Sequence, residues 1–407
     1  MKKRITATRQ VLEELQADYS ICTKCKICQG VHVQFCADSR FWRNCPSGTR
    51  FRWEAYYASG KMELARGLHT KELAPNEVMR DILYACNLCS SCQEQCYEVK
   101  QLLPTRVFEL MREKAVREGW GPMPEHKKLA ESLEKNDNPW GLSKKKRGDW
   151  AKGLPLKNLN KDQAEVLFFA GCTYAADPAL LKPVRAAALS LVEGGWDVGT
   201  LGAEELCCGA PMLLVGDRDF FETFAFENIE RFNALGVKTI VAPCSHCAWV
   251  FKEEYADHLN SDIKVMQISE ALWWLLRKDK SLNFTNEVKM KAVWHDPCKL
   301  GRRFDQYKKP RAVLEAIPGL EVLEFHRSMF NSLCCGGGGG VPYAFPDFAL
   351  YTAKERLFEA EAVGAEAIVT SCPYCLQMFH KAVEDKKSDM KVYDLAELVM
   401  MALGKEV

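Results

Sequence analysis

The cysteines of this 407-residue chain recur at a nearly fixed interval. Cys172, the adjacent pair Cys207 and Cys208, and Cys244-x-x-Cys247 come back as Cys298, the pair Cys334 and Cys335, and Cys372-x-x-Cys375. The offsets are 126 residues for the first (172 to 298), 127 for the pair (207 to 334) and 128 for the last two (244 to 372). So little drift over so long a stretch marks an internal duplication. Each pair is followed by glycine, Gly209 and Gly336, and the second glycine opens a run that ends at Gly340. Whatever the fold, it gathers five thiols twice.

The segments that carry these cysteines also match. Glu165 to Cys172 and Lys291 to Cys298 read as buried strands ending at a cysteine, and so do Lys238 to Cys244 and Glu366 to Cys372. Helical periodicity precedes the second strand of each copy, over Phe220 to Leu235 and Asp347 to Val363. Strands alternating with helices imply a parallel α/β sheet in each repeat. Ligands of such sheets gather at the carboxyl ends of the strands, where these cysteines fall.

Ahead of the repeats lies a second cysteine-dense region. Cys86-x-x-Cys89-x-x-Cys92-x-x-x-Cys96 has the spacing of bacterial ferredoxins, in which three thiolates hold one cubane cluster and the fourth serves the other. Its partner run is Cys22, Cys25 and Cys28, with His32 where a fourth cysteine is expected and roughly a dozen inserted residues after it. Cys36, Cys45 and His32 are the candidates for the missing ligand; Cys45 precedes Pro46 and so restores the Cys-Pro signature, with Cys36 next. Two-cluster logic then groups Cys22, Cys25, Cys28 and Cys96, and separately Cys86, Cys89, Cys92 and Cys45. A pair of four-cysteine zinc sites is the alternative. Helices are expected over Arg9 to Asp18, Asn76 to Tyr84 and Thr105 to Val116.

Residues 119–163 are rich in Gly, Pro, Lys, Asn and Asp and read as a connector with one short helix near Glu125 to Glu134. The run Lys144 to Arg147 within it reads as solvated. The domain expectation is 1–118, a connector 119–163, and repeats at 164–284 and 285–407. A net charge of +1 gives no footprint for nucleic acid. No apolar run reaches the length of a membrane span; Ala271 to Leu276 is the longest tempting one. The chain is expected to be cytoplasmic, or held at a membrane only through a partner. Nineteen cysteines in such a chain point to metal rather than to disulfides.

With these motifs in view the chain resembles the cysteine-rich CCG proteins of the heterodisulfide reductase family, in which a ferredoxin-like domain is fused to two CCG domains. It is similar also to the iron–sulfur subunits of glycolate oxidase and anaerobic glycerol-3-phosphate dehydrogenase. The resemblance implies an α/β fold class: a helical two-cluster ferredoxin-like domain, then two duplicated α/β domains with parallel sheets. It implies two cubane [4Fe-4S] clusters and two non-cubane [4Fe-4S] clusters. One non-cubane cluster would use Cys172, Cys207, Cys208, Cys244 and Cys247, the other Cys298, Cys334, Cys335, Cys372 and Cys375. Gly209 and Gly336 would let the backbone approach those clusters, and the run to Gly340 reads as a turn beside a bulky cofactor.

The function implied is relay of electrons through the cubanes to the paired clusters, where a disulfide-like substrate is reduced at Cys207, Cys208, Cys334 and Cys335. His246 and His295 stand beside cysteines and are candidate proton donors to a thiolate product; Tyr374 occupies the position of His246 in the second copy. The alternative is a conduit between a flavoprotein or membrane cytochrome and another oxidoreductase. No strand-linked G-x-G-x-x-G marks a flavin or nicotinamide site, so electrons must come from a partner: a flavoprotein, a ferredoxin-like subunit or a membrane cytochrome.

Overall fold

The computed structural model describes residues 10–31, 36, 38–97 and 99–406; Arg9 and His32 lie outside them. Both repeats are α/β units built on parallel sheets. The first sheet contains β1 (Lys157–Asn158), β2 (Val166–Phe168), β3 (Val198–Thr200), β4 (Thr239–Ala242) and β5 (Lys264–Gln267), in the order β1-β3-β2-β4-β5. The second contains β6 (Met290–Trp294), β7 (Leu320–Leu323), β8 (Ala367–Thr370) and β9 (Lys391–Asp394), in the order β7-β6-β8-β9. Without β1 the two orders are the same, so the duplication read from cysteines is a duplication of topology.

The strands are shorter than their apolar runs suggest. β2 stops at Phe168 and β6 at Trp294, and Cys172 and Cys298 begin the helices Cys172–Ala176 and Cys298–Phe304. Cys244 and Cys372 occupy the N-caps of Ser245–Trp249 and Pro373–Lys386. The apolar run continues because the turn between strand and helix is itself buried. Gly171, at φ +81°, allows one of these turns.

The helices follow the sequence periodicity closely: Glu77–Tyr84 capped by Asn76, Pro104–Arg117, Arg218–Ala234 and Pro346–Ala362. Of the first expected helix, Leu12–Leu15 is a tight 3-10 turn and Gln16–Ser20 is α-helical.

The segment 119–163 is woven into the fold. It supplies the helix Pro124–Asn136 and the edge strand β1, and it buries His126 and Trp150. The reading of Lys144 to Arg147 as a solvated run needs correction at its last residue. Arg147 is buried and pairs with Glu205 at 3.0 Å, and Glu205 also accepts the backbone N–H groups of Ala170 and Gly171 at 2.9 Å. A charged run in the sequence does not reveal which member will meet a buried carboxylate.

The amino-terminal region is clamped onto both repeats by Arg112. Its buried guanidinium donates to the carbonyls of Leu83 (3.0 Å), Tyr84 (3.3 Å) and Cys86 (2.7 Å) in its own region, Leu214 (2.8 Å) in the first repeat and Gly339 (2.7 Å) in the second. Tyr84 stacks on that guanidinium and donates its hydroxyl to Val215 O at 2.9 Å. The glycine run completes the seam: a Cβ at Gly339, where φ is +66°, would lie 2.3 Å from Cys86 O. The glycines thus allow backbone to lie against the backbone of the Cys86 loop. Replacing Arg112 by methionine leaves buried carbonyls unpaired and should cost about 3–5 kcal/mol, read as a lower urea midpoint.

Candidate iron–sulfur centres

In each amino-terminal cysteine run the residues flanking the middle cysteine are forced into left-handed backbone. Lys24 and Lys26 around Cys25 have φ of +54° and +67°, and Leu88 and Ser90 around Cys89 have +48° and +65°. Such strain at non-glycine residues persists only where the surroundings hold it and concentrates at functional sites.

The two runs draw thiols together across the chain. Cys96 lies in the electrostatic field of Cys22 and Cys25, and Cys28 in that of Cys22 and Cys96. Cys45, from a distant segment, joins Cys86, Cys89 and Cys92 around one enclosed cavity. Cys28 in turn acts on Cys92, so the two sets are neighbours. Cys36 stands apart from both: its thiol donates to Asp38 O at 3.2 Å, and it packs with Val31 and Phe41.

The cavity suits a thiolate-held cation. Burial pushes Cys45 up to about 12 and Cys92 well above the ordinary thiol value, so these thiolates need a compensating positive centre. Buried Lys61 lines the same cavity and supplies one positive charge opposite an anionic thiolate cluster.

In the first repeat Cys207 Sγ lies 3.8 Å from Cys172 Sγ, Cys208 contacts Cys207 and Cys247, and Cys247 contacts Cys244. In the second, Cys334 contacts Cys298 and Cys335, and Cys335 and Cys372 both contact Cys375. Nine of these ten cysteines are buried, and Cys298 is half-buried. Gly209 (φ +80°) and Gly336 (φ +92°) each point their N–H back at the first sulfur of the pair, Cys207 and Cys334, at 3.4 Å. Five soft sulfur donors with backbone N–H groups aimed at them match iron–sulfur ligation.

Two contacts connect these sets in series. Cys334 touches Cys89 of the amino-terminal region, and Cys372 touches Cys244 across the repeats. The backbone carries the same joints. Arg302 donates to Cys89 O at 3.0 Å and to Ser332 O, and Asn87 donates to Gly336 O at 2.8 Å. Between the repeats Gln267 donates to Pro243 O and Ser371 O, both at 2.9 Å, and Tyr174 donates to buried Asp394 at 2.6 Å. Burial pushes that Asp394 carboxyl up to about 7.

The histidines differ from one another. His246 places Nδ1 4.0 Å from Cys372 Sγ, so it faces a cysteine of the other repeat, with its ring against Tyr374. His295 lies within 4.8 Å of Cys335 and Cys375, and Arg356 donates Nε–H to its Nδ1 at 3.3 Å. A guanidinium only donates, so that nitrogen carries no proton. Burial also lowers the pKa of the ring. Asp296 is held by Arg311 at 2.7 Å and accepts Met329 N–H at 2.8 Å, which fixes the turn before Cys298.

Arg112, Arg302, Asn87 and Glu205 are not legible as site residues in the sequence. The only local signal for Asn87 is its place next to Cys86; the arginines are ordinary helix residues until the tertiary fold gives them carbonyls to bind.

The cysteine-rich domain family named CCG matches residues 166–252 and 292–380. A dihydromethanophenazine:CoB–CoM heterodisulfide reductase polypeptide of Methanosarcina mazei is 28% identical over 416 aligned residues, covering 99% of this chain and 97% of that one. The probable iron-sulfur-binding oxidoreductase FadF of Bacillus subtilis is 29% identical over 85% of this chain and 50% of its own length. A hypothetical protein of Helicobacter pylori shares the fold, with a TM-score of 0.56 at 14% identity over 86% of this chain and 68% of that one. Among the described residues no helix is long and apolar enough to cross a membrane. The chain therefore carries two CCG cysteine-rich domains and resembles a polypeptide of heterodisulfide reductase over its full length and an iron–sulfur oxidoreductase over most of it.

Proposed function

We propose that this chain carries electrons from a partner through two amino-terminal clusters to paired clusters in the repeats, where a disulfide-like bond is reduced. The observation that carries the reading is the serial contact of thiols, Cys89 with Cys334 and Cys372 with Cys244. Cys25 is the one exposed cysteine and belongs to the far end of that series, so the proposed direction runs from the surface inward. Iron–sulfur clusters, when bound, supply single electrons and iron with affinity for sulfur.

The chain's own residues would do the rest. Cys22, Cys25, Cys28 and Cys96 would hold one cubane, and Cys45, Cys86, Cys89 and Cys92 the other. Each five-cysteine set would hold a non-cubane cluster. Cys89 and Cys334 bring the second repeat next to the cubane, which makes that repeat the nearer of the two and the first repeat the terminus. His246 reaches across the repeats to Cys372 and is the better placed histidine to deliver a proton to a departing thiolate. Reduction of one disulfide takes two electrons and two protons, and two facing sites can each keep one sulfur.

A second reading is favoured by the burial of nine of the ten repeat cysteines: buried clusters suit onward transfer to another oxidoreductase. Purified protein with reduced viologen decides between the two. Under the first reading it reduces a mixed disulfide and Cys334→Ala abolishes that activity, while the cubane electron paramagnetic resonance signals persist. Absence of disulfide reduction, with electrons still passed to a co-purifying enzyme, selects the conduit.

Four loaded four-iron sites give about 16 iron atoms per chain; anaerobic iron analysis near half that value removes the repeats from the scheme. Among the amino-terminal cysteines, Cys45→Ser should erase one cubane signal and Cys36→Ser should leave the reduced spectrum unchanged. The reverse pattern would exchange their roles.

A further inference from the structure

The segment carrying Cys45 presents a surface that the relay does not use. Arg43 precedes that cysteine by two residues, and Arg50 and Arg52 follow it on and just after the helix Pro46–Phe51, which Cys45 caps. Arg40 is neutralised by Asp38 at 2.6 Å. Among the described residues Arg43, Arg50 and Arg52 form no salt bridge. Instead Arg43 lies over the Trp42 ring at 5.4 Å and Arg50 over the Tyr351 ring at 5.3 Å. Stacked guanidinium groups keep their N–H edges free for carboxylates. Arg43 and Arg52 share a pocket of about 530 Å³ with Trp42, Tyr57 and Tyr351, and Glu355 is its one acidic lining residue.

We propose that this face docks the acidic surface of a one-electron carrier protein, which exchanges electrons with the set of Cys45, Cys86, Cys89 and Cys92. The proposal rests on reading that set as a cluster site. Tryptophan, tyrosine and arginine are the residues that dominate protein–protein hot spots; Trp42 of the pocket stands 40% exposed, and Trp53, next in sequence to Arg52, 59%. The pocket is an open bowl, and a small ligand is normally held where most of its surface is buried; a protein edge has no such need. Unpaired arginines call for carboxylates, and opposed charge on two proteins speeds encounter while leaving the complex short-lived.

The face is also held firmly in register with the second repeat. Arg327 of that repeat donates to Arg43 O, and Phe51 packs on Phe348 at 5.3 Å. The surroundings of Cys25 are of another kind. There Ile21 and Tyr97, next to Cys22 and Cys96, are 56% and 59% exposed, Lys24 is paired with Glu63 at 3.0 Å and Lys26 is exposed, so that face mixes apolar surface with lysines, whereas the face of Arg43 gathers stacked arginines that suit a transient acidic carrier. In each encounter one electron leaves the carrier and enters the Cys45 set; the carrier is oxidised by one electron, and no bond or proton changes hands.

The test uses the iron-loaded full chain and a recombinant acidic flavodoxin. Binding of the oxidised flavodoxin and the rate of electron transfer from its reduced form should both weaken as salt rises. R43E/R52E should lower both by about tenfold or more, as loss of charge complementarity predicts, and R43K/R52K should retain most of each. R50E, at the neighbouring position, gives the same answer with a smaller loss if the double variant fails to load iron. Reduction by viologen, which needs no docking face, should stay unchanged in every loaded variant; loss of disulfide reduction there would count against the proposed function, not against the docking face. Flavodoxin binding and salt dependence unaltered in R43E/R52E and R50E, binding lost instead in I21S/V99S, or capture of anionic vesicles in place of flavodoxin would each overturn the assignment.

Discussion

A guanidinium sealed from water needs its donors occupied, and Arg112 occupies four of its five with carbonyls that belong to three parts of the chain. Burial alone makes the charged form costly. The residue is tolerable only when Cys86, Leu214 and Gly339 are all in place. The converse holds equally: those carbonyls are buried and lose their partner if the arginine leaves. One side chain therefore couples the loop of Cys86 to both repeats, and that coupling sets the register in which Cys89 meets Cys334.

A second buried network works beside it. Glu359 binds Arg327 at 2.8 Å and Arg356 at 2.7 Å; Arg327 reaches Arg43 O, and Arg356 reaches His295. The strip from Arg43 to Cys45 and the histidine beside Cys335 thus share one electrostatic frame. In the first repeat the buried Arg147–Glu205 pair holds the turn before Cys172, and uncharged groups hold the cysteine pair: Asn228 donates to Cys207 O and Tyr255 to Cys208 O, both at 2.9 Å. The position of His295 is taken there by Phe169. The repeats share a topology but differ in surroundings. Charge meets the amino-terminal region from both repeats, through Lys299 and Arg303 beside Glu109 in the second and through Arg218 beside Glu113 in the first.

The duplication, the parallel sheets and the helices are legible in the sequence because their signals are local: cysteine spacing, apolar runs and helical periodicity. Cys45 stands out for the same kind of reason, through the proline after it, and the cavity it lines with Cys86, Cys89 and Cys92 gives that reading a place in the fold. Contacts between residues far apart in sequence leave no such trace. Arg147 lies in a run of four basic residues, and nothing local marks it as the one that meets Glu205. β3, β5, β7 and β9 are three or four residues each, too short for periodicity to register. The glycines after Cys335 read in the sequence as a turn beside a cofactor. Three of them, Gly338 to Gly340, have as their nearest neighbours Asn87, Cys86, Val215 and His126, so protein backbone and side chains of the neighbouring regions set their lack of a Cβ.

The Cys-Cys-Gly signature itself has a physical content that explains why it stands in both copies while the surroundings diverge. Adjacent cysteines would ordinarily send their side chains to different sides, and a third residue confined to negative φ would carry the chain away from the sulfurs. With Gly209 and Gly336 in left-handed backbone, the chain folds back and its N–H comes to 3.4 Å from the first sulfur of the pair. A side chain is refused at both points, since a Cβ on Gly209 would stand 2.7 Å from Phe221 and one on Gly336 would stand 2.3 Å from Ala349 O. The residue after that glycine adds a further N–H to the second sulfur in both copies, Ala210 to Cys208 and Gly337, at 3.4 Å, to Cys335. Hydrogen bonds to cluster sulfurs and exclusion of water are the levers by which a protein sets reduction potential. The glycine therefore fixes two things at once, the direction of the sulfurs and the charge they can bear, and both copies keep it because neither follows without the left-handed turn.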